Sequence, residues 1–251
     1  MRVADGVEVL EIMQEMQGRT ATICPALLWD DRDVVLVDAG FPGQLELFRA
    51  AMARAGKPMD KLTKIVITHH DLDHIGSLPE VVAAAPGVRV LAAEGERPYI
   101  QGERTPIKMT PEGVAQLTAG LPPEQVAERQ KAAAARLASM TLPKARVDEV
   151  FKPGDELPIC GGLVVIGTPG HTPDHISLYH KPSRTLIAGD ALTADNGRLN
   201  GPPTGPTLDM PHALRSLRSF ASYDIAAVIA YHGGLVRAGI RERLAEISGS
   251  G

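Results

Sequence analysis

The sequence predicts an α+β protein in which two packed β-sheets carry helices on their outer faces, an αβ/βα sandwich of four layers. Three observations predict it. Short apolar runs of strand length alternate with longer segments of helical periodicity. Each half of the chain places strands before helices. Clusters of histidine and aspartate close several of the apolar runs, where strand ends would carry them.

Taken in order, residues 22–29 and 34–37 flank the polar turn Asp30-Asp31-Arg32-Asp33 and read as a hairpin. Residues 44–56 have helical periodicity and stop at Gly56, ahead of Lys57-Pro58. Residues 64–68 are rich in β-branched side chains and form a buried strand ending at a His/Asp cluster. A short helix over 78–85 and a strand over 88–92 follow. From about 94 to 146 the character changes. Residues 124–140 are Ala-rich and helical, and Thr105-Pro106, Thr110-Pro111 and Leu121-Pro122-Pro123 surround them with turns and helix starts. About 50 residues would make a poor independent core, so this stretch is an insertion within one domain spanning 1–251. Strands resume over 163–167, 176–180 and 185–188. An Asn/Gly/Pro-rich loop (195–207) then leads to a helix (209–221), a strand (226–230) and a final helix (235–247). The tail 248–251 reads as flexible.

The 251 residues, 44% of them hydrophobic, suffice for a sizeable core. A net charge of -4 offers no basic surplus for a phosphate backbone, so no nucleic-acid partner is expected. No apolar run reaches the ~18–20 residues that span a bilayer, and no membrane partner is expected. The start of the chain lacks a basic, then apolar, leader pattern. Cys24 and Cys160 are too few for a disulfide framework and read as small buried residues in a cytoplasmic protein. The oligomeric state stays open.

Chemistry concentrates in a few places. Of eight histidines, His69, His74, His171 and His232 fall in polar clusters, accompanied by Asp71, Asp73 and Asp190. Imidazole and carboxylate suit zinc, iron or manganese, whereas structural zinc recruits thiolates, so the set reads as catalytic. His69 and Asp71, two apart in an extended segment, face the same side and can grip one ion. Asp73 and His74 are adjacent, and a turn aims both at a second. Gly76 would let the chain bend just after them. The competing reading, Asp71 or Asp73 as a helix cap, does not account for the other three clusters.

The chain resembles the metallo-β-lactamase superfamily. Val37-Asp38-Ala39-Gly40 is similar to its early Asp-x-Gly motif, and Thr68 to Gly76 to its HxHxDH motif. Thr168-Pro169-Gly170-His171-Thr172-Pro173-Asp174-His175 is close to the TPGHTPGH stretch of glyoxalase II and lactonase-like members. Gly189-Asp190 and Tyr231-His232-Gly233 match its remaining motifs. The resemblance implies the four-layer metallo-β-lactamase sandwich and two divalent metal ions, zinc first, with manganese or iron as alternatives. It places His69, Asp71 and His171 on one ion, Asp73, His74 and His232 on the other, and Asp190 between them. With such a centre a metal-bound water would attack the substrate while Asp73 handles the proton. Asp38 reads as orienting a metal-binding histidine, with a plain turn residue as the alternative. His175 reads as supporting the ligands or facing the substrate, with a buried structural histidine as the alternative. His70 should point away from the centre, available as a substitute ligand. His180 and His212 carry no motif and read as structural. Tyr99, Arg104 and Lys108 lie in the insertion, where such folds build the substrate wall.

The departure is Asp71, which stands where the motif has histidine. Three carboxylates and a bridging hydroxide would then neutralise two divalent cations, and the extra oxygen favours manganese or iron. Aspartate is also shorter than histidine, so a single ion at the second place is the alternative. The expected activity is hydrolysis of a small ester-like molecule: a lactone, thioester or related carbonyl compound. A mononuclear iron oxygenase of the same fold and a non-catalytic metal-binding module are the other readings. Ala191-Leu192-Thr193 lacks the tyrosine of acyl-homoserine lactonases, and no basic cluster for glutathione is evident.

Overall fold

The computed structural model describes residues 1–16 and 19–249. A seven-stranded sheet runs in the order Arg2–Ala4, Val7–Val9, Ala26–Trp29, Val34–Val37, Lys64–Ile67, Arg89–Ala93 and Glu149–Phe151. A six-stranded sheet follows the order Glu156–Leu157, Leu163–Gly167, Ile176–His180, Thr185–Ile187, Ala227–Ala230 and Gly234–Val236.

The period-2 alternation of a strand explains the layering. Val35, Val37 and Val66 point between the sheets, where they meet Leu163, Val165, Leu178, Ile187 and Ile229 of the other sheet. Their neighbours Leu36, Ile65 and Ile67 point outward and pack with Phe48 and Met52 of the helix Leu45–Arg54 and Leu78 and Val81 of the helix Leu78–Ala84. On the opposite side Leu186 and Val228 pack with Ala191, Leu217 and Leu244, beneath the helices Met210–Ser216 and Ile240–Ser248. These strands are buried on both faces, so they read as continuous apolar runs. The fold is the expected sandwich.

Several details differ from the sequence expectation. Strand Arg19–Ile23 pairs with Ile12–Met16 in a separate ribbon, and Cys24-Pro25 separates it from Ala26–Trp29. The hairpin itself pairs Ala26 with Val37 and Trp29 with Val34. Gly234–Val236 is a strand on Ala227–Ala230, so the last helix begins at Ile240. The loop after Asp190 contains a hairpin, Thr193–Asp195 with Arg198–Asn200. The helix expected over 209–221 tightens after Ser216 into a 3-10 segment, Leu217–Ser222. Of the tail, Ser248 ends the last helix and Gly249 caps it at φ +63°, while 250–251 lie outside the described residues.

The insertion holds the helices Arg97–Ile100, Pro111–Leu117 and Pro123–Ser139, with a 3-10 turn at Ile107–Met109. Pro123–Ser139 buries none of its residues. Among the described residues, no helix is long and apolar enough to cross a membrane.

Candidate metal centre

Parallel pairing places one set of strand ends side by side. Val34–Val37, Lys64–Ile67 and Arg89–Ala93 run parallel in one sheet, and Thr185–Ile187 and Ala227–Ala230 in the other. Their C-terminal ends release Asp38, the run 68–74, Asp190 and His232 at a common edge. The loop after Leu163–Gly167 brings His171 to the same place.

All seven residues expected to bind metal meet there, in two groups. His69, Asp71, His171 and Asp190 form one, and Asp73, His74 and His232 the other, the potential ligand atoms within each lying within 4.8 Å of one another. Asp190 spans them: Oδ2 lies 3.3 Å from His171 Nε2, while Oδ1 lies 3.3 Å from His74 Nε2 and 3.5 Å from His232 Nε2. Asp73 Oδ2 lies 3.2 Å from His232 Nε2 and is part-exposed on the solvent side.

The surrounding hydrogen bonds fix which ring nitrogen faces inward. The Thr68 hydroxyl donates to Asp38 Oδ2 (2.9 Å), so it accepts from His69 Nδ1–H (3.0 Å). His74 Nδ1–H donates to the same Asp38 oxygen at 2.9 Å. The Thr207 hydroxyl donates to the Pro203 carbonyl (2.6 Å) and therefore accepts from His171 Nδ1–H (3.1 Å). In all three rings a proton is held at Nδ1, which leaves Nε2 turned toward carboxylates and able to take either a proton or a metal ion.

This arrangement fits a cation. Among the described residues, His69 Nε2, His74 Nε2 and Asp190 Oδ1 are buried side-chain atoms without a hydrogen-bond partner. Acceptors facing acceptors in a buried site are costly unless positive charge sits between them. The ring charges respond accordingly. Burial opposes charge on His74, yet the carboxylates of Asp38, Asp190 and Asp73 hold it well above the usual imidazole range. Burial also works against a charged His232, but the neighbouring carboxylates of Asp190 and Asp73 lift it to about 9. His69, deeply buried beside His74, falls well below and stays neutral. Despite its burial, Asp190 is held well below the usual carboxylate range by the neighbouring His74 and His232.

The supporting residues include several that sequence reasoning did not single out. Asp38 receives three donors, the third being the Thr68 N–H at 2.8 Å. His175 Nδ1–H donates to the Thr168 hydroxyl (2.8 Å), and its Nε2 accepts the Asp190 N–H (3.0 Å). Tyr231 stacks on His74 with ring centroids 3.9 Å apart and donates its hydroxyl to the Asp73 carbonyl (2.5 Å). Buried Glu96 accepts from the His70 N–H (2.9 Å), the His70 Nδ1–H and the Thr172 hydroxyl (2.6 Å), joining two ligand-bearing segments. His70 is thereby turned away from the centre and stacked on Tyr99, so it does not stand in for Asp71. His180 is buried and bonded to the Cys160 carbonyl at 2.7 Å. Lys108, expected in a substrate wall, instead enters the first group. Its ammonium donates to Asp71 Oδ2 and lies 2.8 Å from His171 Nε2.

Gly76 does not serve as a bend. Its backbone is ordinary right-handed helix, φ -58° and ψ -48°. A Cβ there would lie 2.3 Å from Pro42 N and 2.4 Å from Phe41 C, so what it permits is close approach of another backbone segment.

Comparison with known proteins agrees with this geometry. Residues 25–232 match the model of the metallo-beta-lactamase superfamily. This chain belongs to that superfamily. The superfamily's metallo-hydrolases include a probable metallo-hydrolase, YflN, of Bacillus subtilis. It is 29% identical over 216 residues, covering 79% of this chain and 75% of the relative. A hydroxyacylglutathione hydrolase of Stenotrophomonas maltophilia is 41% identical over 71 residues, 28% of this chain and 25% of its own. The metallo-beta-lactamase family protein TTHA1429 of Thermus thermophilus shares the fold at a TM-score of 0.70. It has 23% sequence identity over 99% of this chain and 80% of that one. The chain is accordingly a metallo-hydrolase of the metallo-β-lactamase superfamily, an enzyme with candidate ligands for a divalent metal gathered at this edge of the sandwich.

Proposed function

We propose that the enzyme hydrolyses a small ester-like substrate, a lactone, thioester or related carbonyl compound, in the cytoplasm. The observation that carries the metal chemistry is the set of buried, partnerless atoms, His69 Nε2, His74 Nε2 and Asp190 Oδ1, all turned to one centre. A divalent ion bound there supplies a Lewis acid and an acidified water. Zinc is the leading choice, with manganese or iron favoured by the carboxylate-rich donors. The two donor groups offer two places for cations. Asp73, His74, His232 and Asp190 form the place for the divalent ion the reaction needs.

Asp38 and Tyr231 orient His74, and His175 holds Asp190 through its backbone. Asp73, part-exposed beside His232, takes up a proton as water attacks and returns it to the leaving group. Beside Asp71 lies a small recess walled by Leu72, Ile75, Tyr99, Pro106, Met109 and Leu142, mainly apolar surface suited to an acyl chain or ring. The stretch 168–175 supports the same substrate class, and the net charge of -4 argues against a nucleic-acid substrate. Two buried, unpaired thiols fit a reducing compartment.

The test is a panel of lactones, thioesters, β-lactams and phosphodiesters assayed with zinc, manganese and iron. Turnover of lactones or thioesters is expected. Turnover confined to phosphodiesters or β-lactams would overturn the substrate class.

A further inference from the structure

We propose that Lys108 is a resident cation occupying the first metal place, so that the chain holds one divalent ion rather than two. This rests on the metal reading above and concerns what shares the centre with that ion.

The ammonium of Lys108 is positioned as a first-place cation would be. It contacts Asp71 Oδ2 and lies 2.8 Å from Nε2 of His171, two of the four donors of that group. Both side chains are largely withdrawn from water, Lys108 at 12% and Asp71 at 15% exposure.

The lysine is held from behind. It sits on the 3-10 turn Ile107–Met109, against which the next helix, Pro111–Leu117, packs without a gap. A Cβ on Gly113 would fall 1.9 Å from the Ile107 carbonyl oxygen, so only glycine allows this approach. The Thr110 hydroxyl donates to the same carbonyl (2.9 Å) and accepts the Gly113 N–H (3.1 Å).

Charge explains why lysine and aspartate occur together. The centre contains three carboxylates, Asp71, Asp73 and Asp190. One divalent ion and one ammonium balance them, and a second divalent ion beside Lys108 would leave a buried excess of positive charge. A neutral histidine at 71 would give the ammonium no carboxylate of its own there. The departure from the superfamily motif and the lysine of the insertion are thus two halves of one ion pair.

The experiment counts ions. Metal-stripped native chain, Lys108→Met and Lys108→Arg are titrated with zinc alone, desalted and analysed for zinc per chain, with circular dichroism checking the fold. One ion is expected in the native chain and in Lys108→Arg, and two in Lys108→Met, where the His69–Asp71–His171 group is released. If Lys108→Met does not fold, Lys108→Gln replaces it, and the native count is decisive by itself. Two ions in the native chain, or one in the folded Met or Gln variant, overturn the inference and leave the hydrolase reading standing. No ion in the native chain overturns both.

Discussion

The imidazole Nε2 of His175 accepts a hydrogen bond from the backbone N–H of Asp190 at 3.0 Å. The bond ties the carboxylate that spans both donor groups to the loop carrying His171. The other ring nitrogen begins a relay: His175 Nδ1–H to Thr168 Oγ1 (2.8 Å), Thr168 to Ser177 Oγ (3.1 Å), and the Ser177 hydroxyl to the Ala188 carbonyl (2.8 Å). Burial, together with the nearby His171, keeps His175 well below the usual imidazole range, which preserves Nε2 as an acceptor.

His175→Ala leaves the Asp190 N–H buried and unpaired. A loss of about 1–3 kcal/mol is expected from that donor alone, read by urea denaturation of the metal-free chain. Metal affinity should fall by about 10–100-fold, measured by competition with a chelating dye. Native affinity in the variant would show that Asp190 is positioned without His175.

Asp38 accepts three hydrogen bonds, from the Thr68 N–H, the Thr68 hydroxyl and His74 Nδ1–H, and donates none. Asp38→Asn keeps the shape but turns an N–H₂ toward one or more of those donors. A drop in metal affinity of at least about tenfold is expected, with lowered stability in the metal-free chain. Asp38→Ala adds backbone strain of about 1–2 kcal/mol, because residue 38 has φ +66°. The two variants should therefore rank Ala below Asn in denaturation midpoint, and the reverse order would remove Asp38 from its supporting role.

Much of this centre was legible in the sequence, because spacing carried it. His69 and Asp71 alternate along an extended segment, while Asp73 and His74 fall on the first turn of the helix Leu72–Ile75, and the structure divides them in the same way. Glu96, Thr207 and Lys108 had no comparable signal. Each is an ordinary polar residue in a loop or insertion and acquires its role only when the chain folds back on the strand ends. The misplaced start of the last helix has a similar cause. Apolar residues from Leu235 onward keep helical spacing, but Gly234–Val236 lies beside an unpaired sheet edge, and pairing there wins over local propensity.

Neither cysteine faces the centre as a nucleophile, and both should be inert in the native chain. Burial, reinforced by Glu11, pushes the Cys24 thiol up to about 11. Burial, with Asp30 and Asp33, pushes Cys160 up to about 12. At pH 8 a thiol of pKa about 11 has roughly 200-fold less thiolate than one at its ordinary value. Modification by a disulfide reagent should be slow natively and rapid in denaturant. The folded-state values lie above the unfolded ones, so the native chain retains protons that the unfolded chain releases. The associated stabilisation is complete below the ordinary thiol value and is lost as pH rises through about 11–12. Fast native labelling of both thiols at pH 8 would contradict this burial.

Gly76 follows His74 by two residues and marks the point where two segments are stitched together. Its N–H donates to the Gly40 carbonyl (2.7 Å), the Ala39 N–H donates to the His74 carbonyl (2.7 Å), and the Ser77 N–H donates to the Ala39 carbonyl (3.0 Å). These bonds press the helix Leu72–Ile75 onto the backbone of 39–42, where a methyl group has no room. Gly76→Ala is normally a favourable change in helical backbone, by about 1 kcal/mol. Here the clash is with backbone atoms, which cannot rotate aside, so a net loss of about 1–3 kcal/mol is expected. The displacement should also carry His74 away from Asp38 and weaken metal binding. Gly205→Ala, at a position with no atom within 4 Å of the added carbon, serves as the control and should be neutral within about 0.5 kcal/mol. Denaturation midpoints and metal affinities of the two variants decide the matter: a neutral Gly76→Ala would mean that the two segments separate freely and do not hold His74 in place.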